Sequence, residues 1–158
     1  MPRAKTAVEP EHEVVALARD DLGFLLAKAS QRWNDLLAER FAASGFPDVR
    51  PSYGSILIPL YEEDGLRMGE LARRARLSKQ TMTEMVRRLE RAGLVERRGD
   101  PTDGRASLVF LTDRSRAFEP VALAVLAELD RLLRRRLTAR AVAELKQTLA
   151  ELLALDER

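Results

Sequence analysis

The chain has 158 residues, 46% of them apolar and 33% charged, which is enough apolar side chain for one packed core and too much for a disordered tail. It has no cysteine and a single histidine, His12. Disulfides, thiolate nucleophiles, thiol redox sensing and Cys-containing zinc sites are therefore excluded, and imidazole acid/base or metal chemistry has almost no basis. The net charge is only +2, yet residues 67–105 hold eleven Arg or Lys against six Asp or Glu, leaving 16 against 19 for the rest. A basic middle between acidic ends suits a surface that approaches phosphates, and equally suits a solvated arginine-rich helix face.

In chain order, Leu22, Leu25, Leu26, Ala29, Trp33, Leu36, Leu37 and Phe41 recur at spacings of three and four, predicting one long helix over 14–41. Gly45, Pro47 and Pro51 interrupt it, and a shorter helix is expected over 52–62, with Pro59 kinking or tightening its last turn. Asp64-Gly65 closes that helix. Two close-set helices follow over 68–75 and 78–92, joined by Arg76-Leu77, with Ser78 as N-cap and Gly93 as C-cap. Strands are expected over 94–97 and 108–111, forming a hairpin with a long tip over 99–105. Thr112 and Thr138 can each cap a further helix, the first with an apolar stripe through Phe118, Val125 and Leu129 despite Pro120, the second through Val142, Leu145 and Leu149. No apolar stretch approaches the ~20 residues of a membrane span, and residues 1–12 lack the apolar segment of a secretory signal. The reading is a cytoplasmic protein without membrane contact.

A helix, a tight turn, a second helix and a β-hairpin form the winged helix-turn-helix order, in which the second helix fits the major groove of B-DNA. At 100° per residue, Ser78, Met82, Met85, Val86 and Leu89 share its inner face, and Gln80, Thr83, Glu84 and Arg87 its outer face. Gln suits adenine, Thr a phosphate or thymine methyl, and Arg guanine or phosphate, while Lys79 and Thr81 flank at the helix N-terminus, where phosphate is welcome. Glu84 could accept from cytosine, but pairing with Arg87 or Arg88 is the preferred reading.

The stretch Met68-Gly69-Glu70-Leu71-Ala72, Leu77-Ser78-Lys79-Gln80-Thr81-Met82-Thr83, Ala92-Gly93-Leu94-Val95 and Asp100-Pro101-Thr102-Asp103-Gly104-Arg105 into Leu111-Thr112 resembles the MarR family of bacterial transcriptional regulators. The resemblance implies a mainly α fold with a small β-hairpin wing, a winged helix-turn-helix with flanking dimerisation helices. It divides the chain into an N-terminal extension (1–18), a dimerisation helix (19–50), a DNA-binding lobe (51–112) and C-terminal dimerisation helices (113–158). It also implies a homodimer on double-stranded DNA, reading a pseudo-palindrome with half-sites about one helical turn apart, ~10 bp. The DNA contacts expected are Ser78, Lys79, Gln80, Thr81, Thr83, Arg87, Arg88, Asp103 and Arg105. Arg105 would enter the minor groove and Asp103 would hold a neighbouring arginine, while Gly104 stands where many relatives have a second arginine. By the same resemblance a small lipophilic or phenolic effector would bind near Trp33, Phe46, Tyr53, Ile56 and Phe118, residues that serve a plain core equally well. No cofactor, metal or catalytic residue is expected, since no G-x-G-x-x-G, Walker loop or His pair occurs. The competing readings are a protein-binding winged-helix adaptor and a sequence-unspecific DNA-binding protein, the latter distinguished by an affinity that does not vary with base sequence.

Overall fold

A computed structural model describes residues 19–155; the expected extension over 1–18 with His12, the first part (14–18) of the helix expected over 14–41, and residues 156–158 lie outside them. The chain divides into two compact units, Met1–Trp33 and Asn34–Arg158. The described residues form six α-helices and one three-stranded antiparallel sheet, a mainly α winged-helix architecture.

Helix α1 (Leu22–Ala43) starts with the first residue of its apolar stripe and not at the expected residue 14, because Arg19 and Asp20 form a turn and the Asp21 carboxylate accepts the Phe24 N–H at 3.1 Å. It stops where Gly45 takes φ +92°, a left-handed value that lets the Phe46 N–H reach back to the Phe41 carbonyl at 2.9 Å. A single 3-10 turn, Pro51–Tyr53, leads into α2 (Gly54–Glu62), which buries Ile56, Leu57, Pro59 and Leu60. Pro59 does sit in the last turn, and the Glu63 N–H closes that turn on the Pro59 carbonyl at 3.0 Å.

Next comes a two-residue strand that the sequence did not announce, β1 (Leu66–Arg67), too short to show any period. It exists because β3 (Asp103–Leu111) offers a partner, with Leu66 opposite Val109 and Arg67 opposite Leu108. Between β1 and β3 stand α3 (Met68–Ala75), α4 (Lys79–Arg91) and β2 (Val95–Asp100), and the sheet order is β1-β3-β2. The hairpin corrects the expected seven-residue tip: both strands run on until only Pro101-Thr102 turns the chain. The Asp100 carboxylate drives this by accepting the Thr102 N–H at 2.8 Å and hydroxyl at 2.7 Å, an Asx-type turn that replaces a floppy loop.

Helices α5 (Asp113–Arg134) and α6 (Ala139–Leu153) start as predicted at Thr112 and Thr138, whose side chains accept the Ser115 and Ala141 N–H groups. Met82, Val86 and Leu89 of α4 are fully buried with Leu71, Leu94 and Val109, and each such side chain stabilises the lobe by roughly 1.5–3 kcal/mol. By contrast Leu123, Leu126, Leu132 and Leu133 of α5 and Leu145, Leu149, Leu152 and Leu153 of α6 remain exposed.

Candidate nucleic-acid interface

The candidate recognition surface is built on α4. Its inner face is fixed by burial of Met82, Val86 and Leu89, with Met85 half-buried, so Gln80, Glu84 and Arg87 are left exposed and Thr83 half-exposed. The turn before it places Arg76 in the left-handed region (φ 52°), which ends α3 and lets the Leu77 N–H return to the Ala72 carbonyl at 3.0 Å. Ser78 then caps α4 by accepting the Thr81 N–H at 3.1 Å, and its hydroxyl donates to Thr81 Oγ1 at 2.9 Å. Ser78 and Thr83 are thus partly occupied: the Thr83 hydroxyl donates to the Lys79 carbonyl of its own helix at 2.9 Å.

The charges sort into two groups. Glu70 accepts from both Arg73 and Arg74, and these two guanidinium groups pull its carboxyl down from 4.5 to about 2; Arg74 also reaches Glu63, and Arg97 pairs with Glu90 at 2.9 Å. In contrast, Lys79, Arg87, Arg88, Arg91 and Arg105 are exposed and join no ion pair among the described residues. The expected pairing of Glu84 with Arg87 or Arg88 does not form, because Glu84 is likewise exposed, where a helix-surface pair contributes only ~0.3–0.5 kcal/mol. Those two arginines are left as unneutralised donors.

At the wing, Gly99 pairs with Ser107 but Asp100 pairs with Asp103, so residues 104–106 are looped out of register and carry Arg105 outward on a bulge. Asp103 does not hold an arginine: its carboxylate accepts the Arg105 backbone N–H at 3.1 Å. The acid that does so is Asp100, nearly fully buried, which binds the Arg67 guanidinium of β1 at 2.5 Å while Arg67 also donates to the Thr102 hydroxyl at 3.2 Å. Hydrogen bonds from Thr102, and then Arg67, hold the Asp100 carboxyl below its ordinary value. The D-P-T turn signature was visible in the sequence, but Arg67 lies 33 positions earlier and only the β1–β3 pairing brings it near. A Cβ on Gly104 would meet nothing within 4 Å, so the wing has room for the second arginine that the sequence lacks.

Of the five aromatic and apolar candidates, Tyr53, Ile56 and Phe118 are buried, and Trp33 and Phe46 are half-buried. Phe118 meets Phe46 edge-on at 5.1 Å and also Phe41, of the α1 apolar stripe, at 4.9 Å. An open groove of about 450 Å³ lies along α5, lined by Ser44, Pro120, Val121, Ala124, Val125, Glu128 and Arg131, and none of the five lines it. Among the described residues no cluster of His, Asp or Glu could hold a metal ion, and no helix is long and apolar enough to cross a membrane.

Comparison with known proteins agrees with this geometry. The MarR family model matches residues 51–107, the stretch from the 3-10 turn through the wing. An HTH-type transcriptional repressor of Mycobacterium tuberculosis is 39% identical over 93 residues, covering 59% of this chain and 67% of that protein. An HTH-type transcriptional regulator of Methylorubrum extorquens is 39% identical over 64 residues, 40% of this chain but only 33% of that protein's length. Among solved structures, one from Pseudomonas aeruginosa, described as a probable transcriptional regulator, shares 32% identity and superposes with a TM-score of 0.73 over 84% of this chain and 97% of that one. A mutant MarR from E. coli complexed with operator DNA shares 28% identity with a TM-score of 0.72, over 84% of this chain and 93% of that one. With its helix-turn-helix, its bulged wing and these relatives in agreement, the chain belongs to the MarR family of winged-helix transcriptional regulators.

Proposed function

We propose that this protein is a sequence-specific double-stranded DNA-binding repressor that acts as a homodimer on a pseudo-palindromic operator. The observation that carries the reading is the combination of an exposed, hydrogen-bonding α4 face, Lys79, Gln80, Thr81, Arg87 and Arg88, with Arg105 on the wing bulge, the cations among them joining no ion pair among the described residues. A helix of this kind reads base edges in the major groove, and an arginine on a wing suits the negative potential of a narrow minor groove. The operator-bound E. coli relative supports a DNA partner, and the repressor named in Mycobacterium tuberculosis supports repression. Residues 19–50 and 113–158 serve on this reading as dimerisation segments, which accounts for the exposed leucines of α5 and α6. A small lipophilic or phenolic effector would act by parting the Phe46–Phe118 contact and moving the lobe. Selection from random duplex DNA at near-physiological salt tests the function directly. An enriched two-fold-symmetric site with half-site centres ~10 bp apart is the expected result, and affinity independent of base sequence would replace this reading with an unspecific DNA-binding one.

A further inference from the structure

The C-terminal end of α4 is gripped by the start of α5. Thr112 donates its hydroxyl to the Gly93 carbonyl at 2.6 Å and its N–H to the Leu94 carbonyl at 3.2 Å. Two residues on, Arg114 makes four contacts. Its guanidinium forks onto Asp48 at 2.6 and 2.9 Å, donates to the carbonyl of Ala92, the C-cap of α4, and lies 5.7 Å from the centre of the Phe46 ring. Phe46 in turn meets Phe118, which stands one helical turn beyond Arg114 on α5. A cation on the last carbonyls of a helix is favoured by the helix dipole, and a planar fork on a carboxylate fixes direction as well as distance. The Arg114 fork also holds the Asp48 carboxyl below its ordinary value.

We infer that Arg114 is a positioning residue for base reading: it ties the C-cap of α4 to the Asp48–Phe46 segment and so sets the angle at which Gln80 and Arg87 are presented. This deepens the function proposed above and rests on it. A base-reading side chain needs placement within ~0.5 Å, whereas phosphate attraction tolerates looser geometry. Loss of the fork therefore reduces operator affinity far more than affinity for unrelated duplex.

The test compares wild type, Arg114→Ala, Arg114→Lys, Asp48→Asn and the double variant Arg114→Ala/Asp48→Ala, measuring affinity for the selected operator and for a scrambled duplex at one salt concentration, with thermal melting alongside. Arg114→Ala is expected to lower operator affinity by ~10-fold or more and scrambled-duplex affinity by less than ~3-fold. Arg114→Lys restores part of the preference, because an ammonium still reaches the Ala92 carbonyl but cannot fork. The double variant loses no more than Arg114→Ala, since Asp48 acts through the same guanidinium. Should Arg114→Ala not fold, Asp48→Asn carries the test, with an intermediate loss of preference expected. An equal loss on both duplexes overturns the inference, as it would make Arg114 a phosphate contact, and so does a preference that survives both Arg114→Ala and Asp48→Asn. A wild-type protein without operator preference overturns the underlying reading as well, and that outcome is distinguishable because no variant is needed to see it.

Discussion

Each candidate DNA-contacting side chain owes its availability to what its neighbours do with their own charges. Glu70 and Glu90 absorb Arg73, Arg74 and Arg97, whereas Arg87, Arg88 and Arg105 are left to solvent. Gln80 projects from the exposed face near the start of α4, where a carboxamide can bond adenine at two points. Gln80→Ala is expected to relax preference at one base position per half-site by ~1–3 kcal/mol, read by competition among single-base operator variants; a uniform loss would assign it to the backbone instead. Arg105 lies on the bulge beside Gly104, which offers no side chain to share its task. Arg105→Ala should weaken binding when the flanks are A·T-rich and change little when they are G·C-rich, with sedimentation unaltered, as gel shifts on the two flank types would show.

Elements here begin and end on identifiable local devices. Ser78, Thr112 and Thr138 cap their helices as their residue types predict, and Gly45 and Gly93 take the left-handed backbone that ends one. Gly65 has a different reason: with φ +74°, its added Cβ would lie 2.6 Å from the Phe110 ring, so both backbone and space demand glycine. That glycine allows β1 to turn back onto β3, and the Asp64 carboxylate secures the turn by accepting the Gly65 N–H at 3.0 Å and the Leu111 N–H at 2.8 Å. Gly65→Ala is expected to cost ~1–3 kcal/mol in urea unfolding and to loosen the Arg67–Asp100 clamp with it. Wild-type stability in that variant would show that Phe110 yields without cost.

At the scale of the whole molecule, two collective properties follow. Asp48, Glu70, Asp100 and Asp130 all have carboxyls held below their ordinary values, led respectively by hydrogen bonds from Arg114, Arg73, Thr102 and Arg134. A depressed folded-state pKa means that the unfolded chain binds protons first, so this stability is present above about pH 4.5 and is lost as pH falls toward 2. The urea midpoint should therefore be flat from pH 6 to 5 and fall steeply below 4, less steeply in high salt because, apart from the buried Asp100, the carboxylates are partly exposed. The exposed leucines of α5 and α6 exceed what a soluble surface of scattered apolar residues presents, and the proposed dimer covers them. On that reading Leu145→Glu/Leu149→Glu gives a monomer that keeps its helical circular dichroism but loses operator binding by well over ~10-fold, as sedimentation and gel shift would record. A dimer that persists would place the interface elsewhere.

Helix spacing, the capping residues, the amphipathic pattern of α4 and the wing motif are local properties, and local chemistry was enough to place six helices, a hairpin and the exposed reading face from the amino-acid order alone. What the order could not display is any partnership that depends on distant segments meeting. The β1 strand exists only because β3 passes beside it, Asp100 and not Asp103 holds an arginine because β1 delivers Arg67, and Arg114 reaches Asp48 across 66 positions. The hairpin tip is shorter than the sequence suggests for a related reason: Asp100 pairs with Asp103 across the 104–106 bulge, and its buried carboxylate closes the turn over Pro101-Thr102. Periodicity and capping act over three or four residues and are written into the chain itself, whereas hydrogen bonds and ion pairs between remote residues are decided by which surfaces the hydrophobic core brings together.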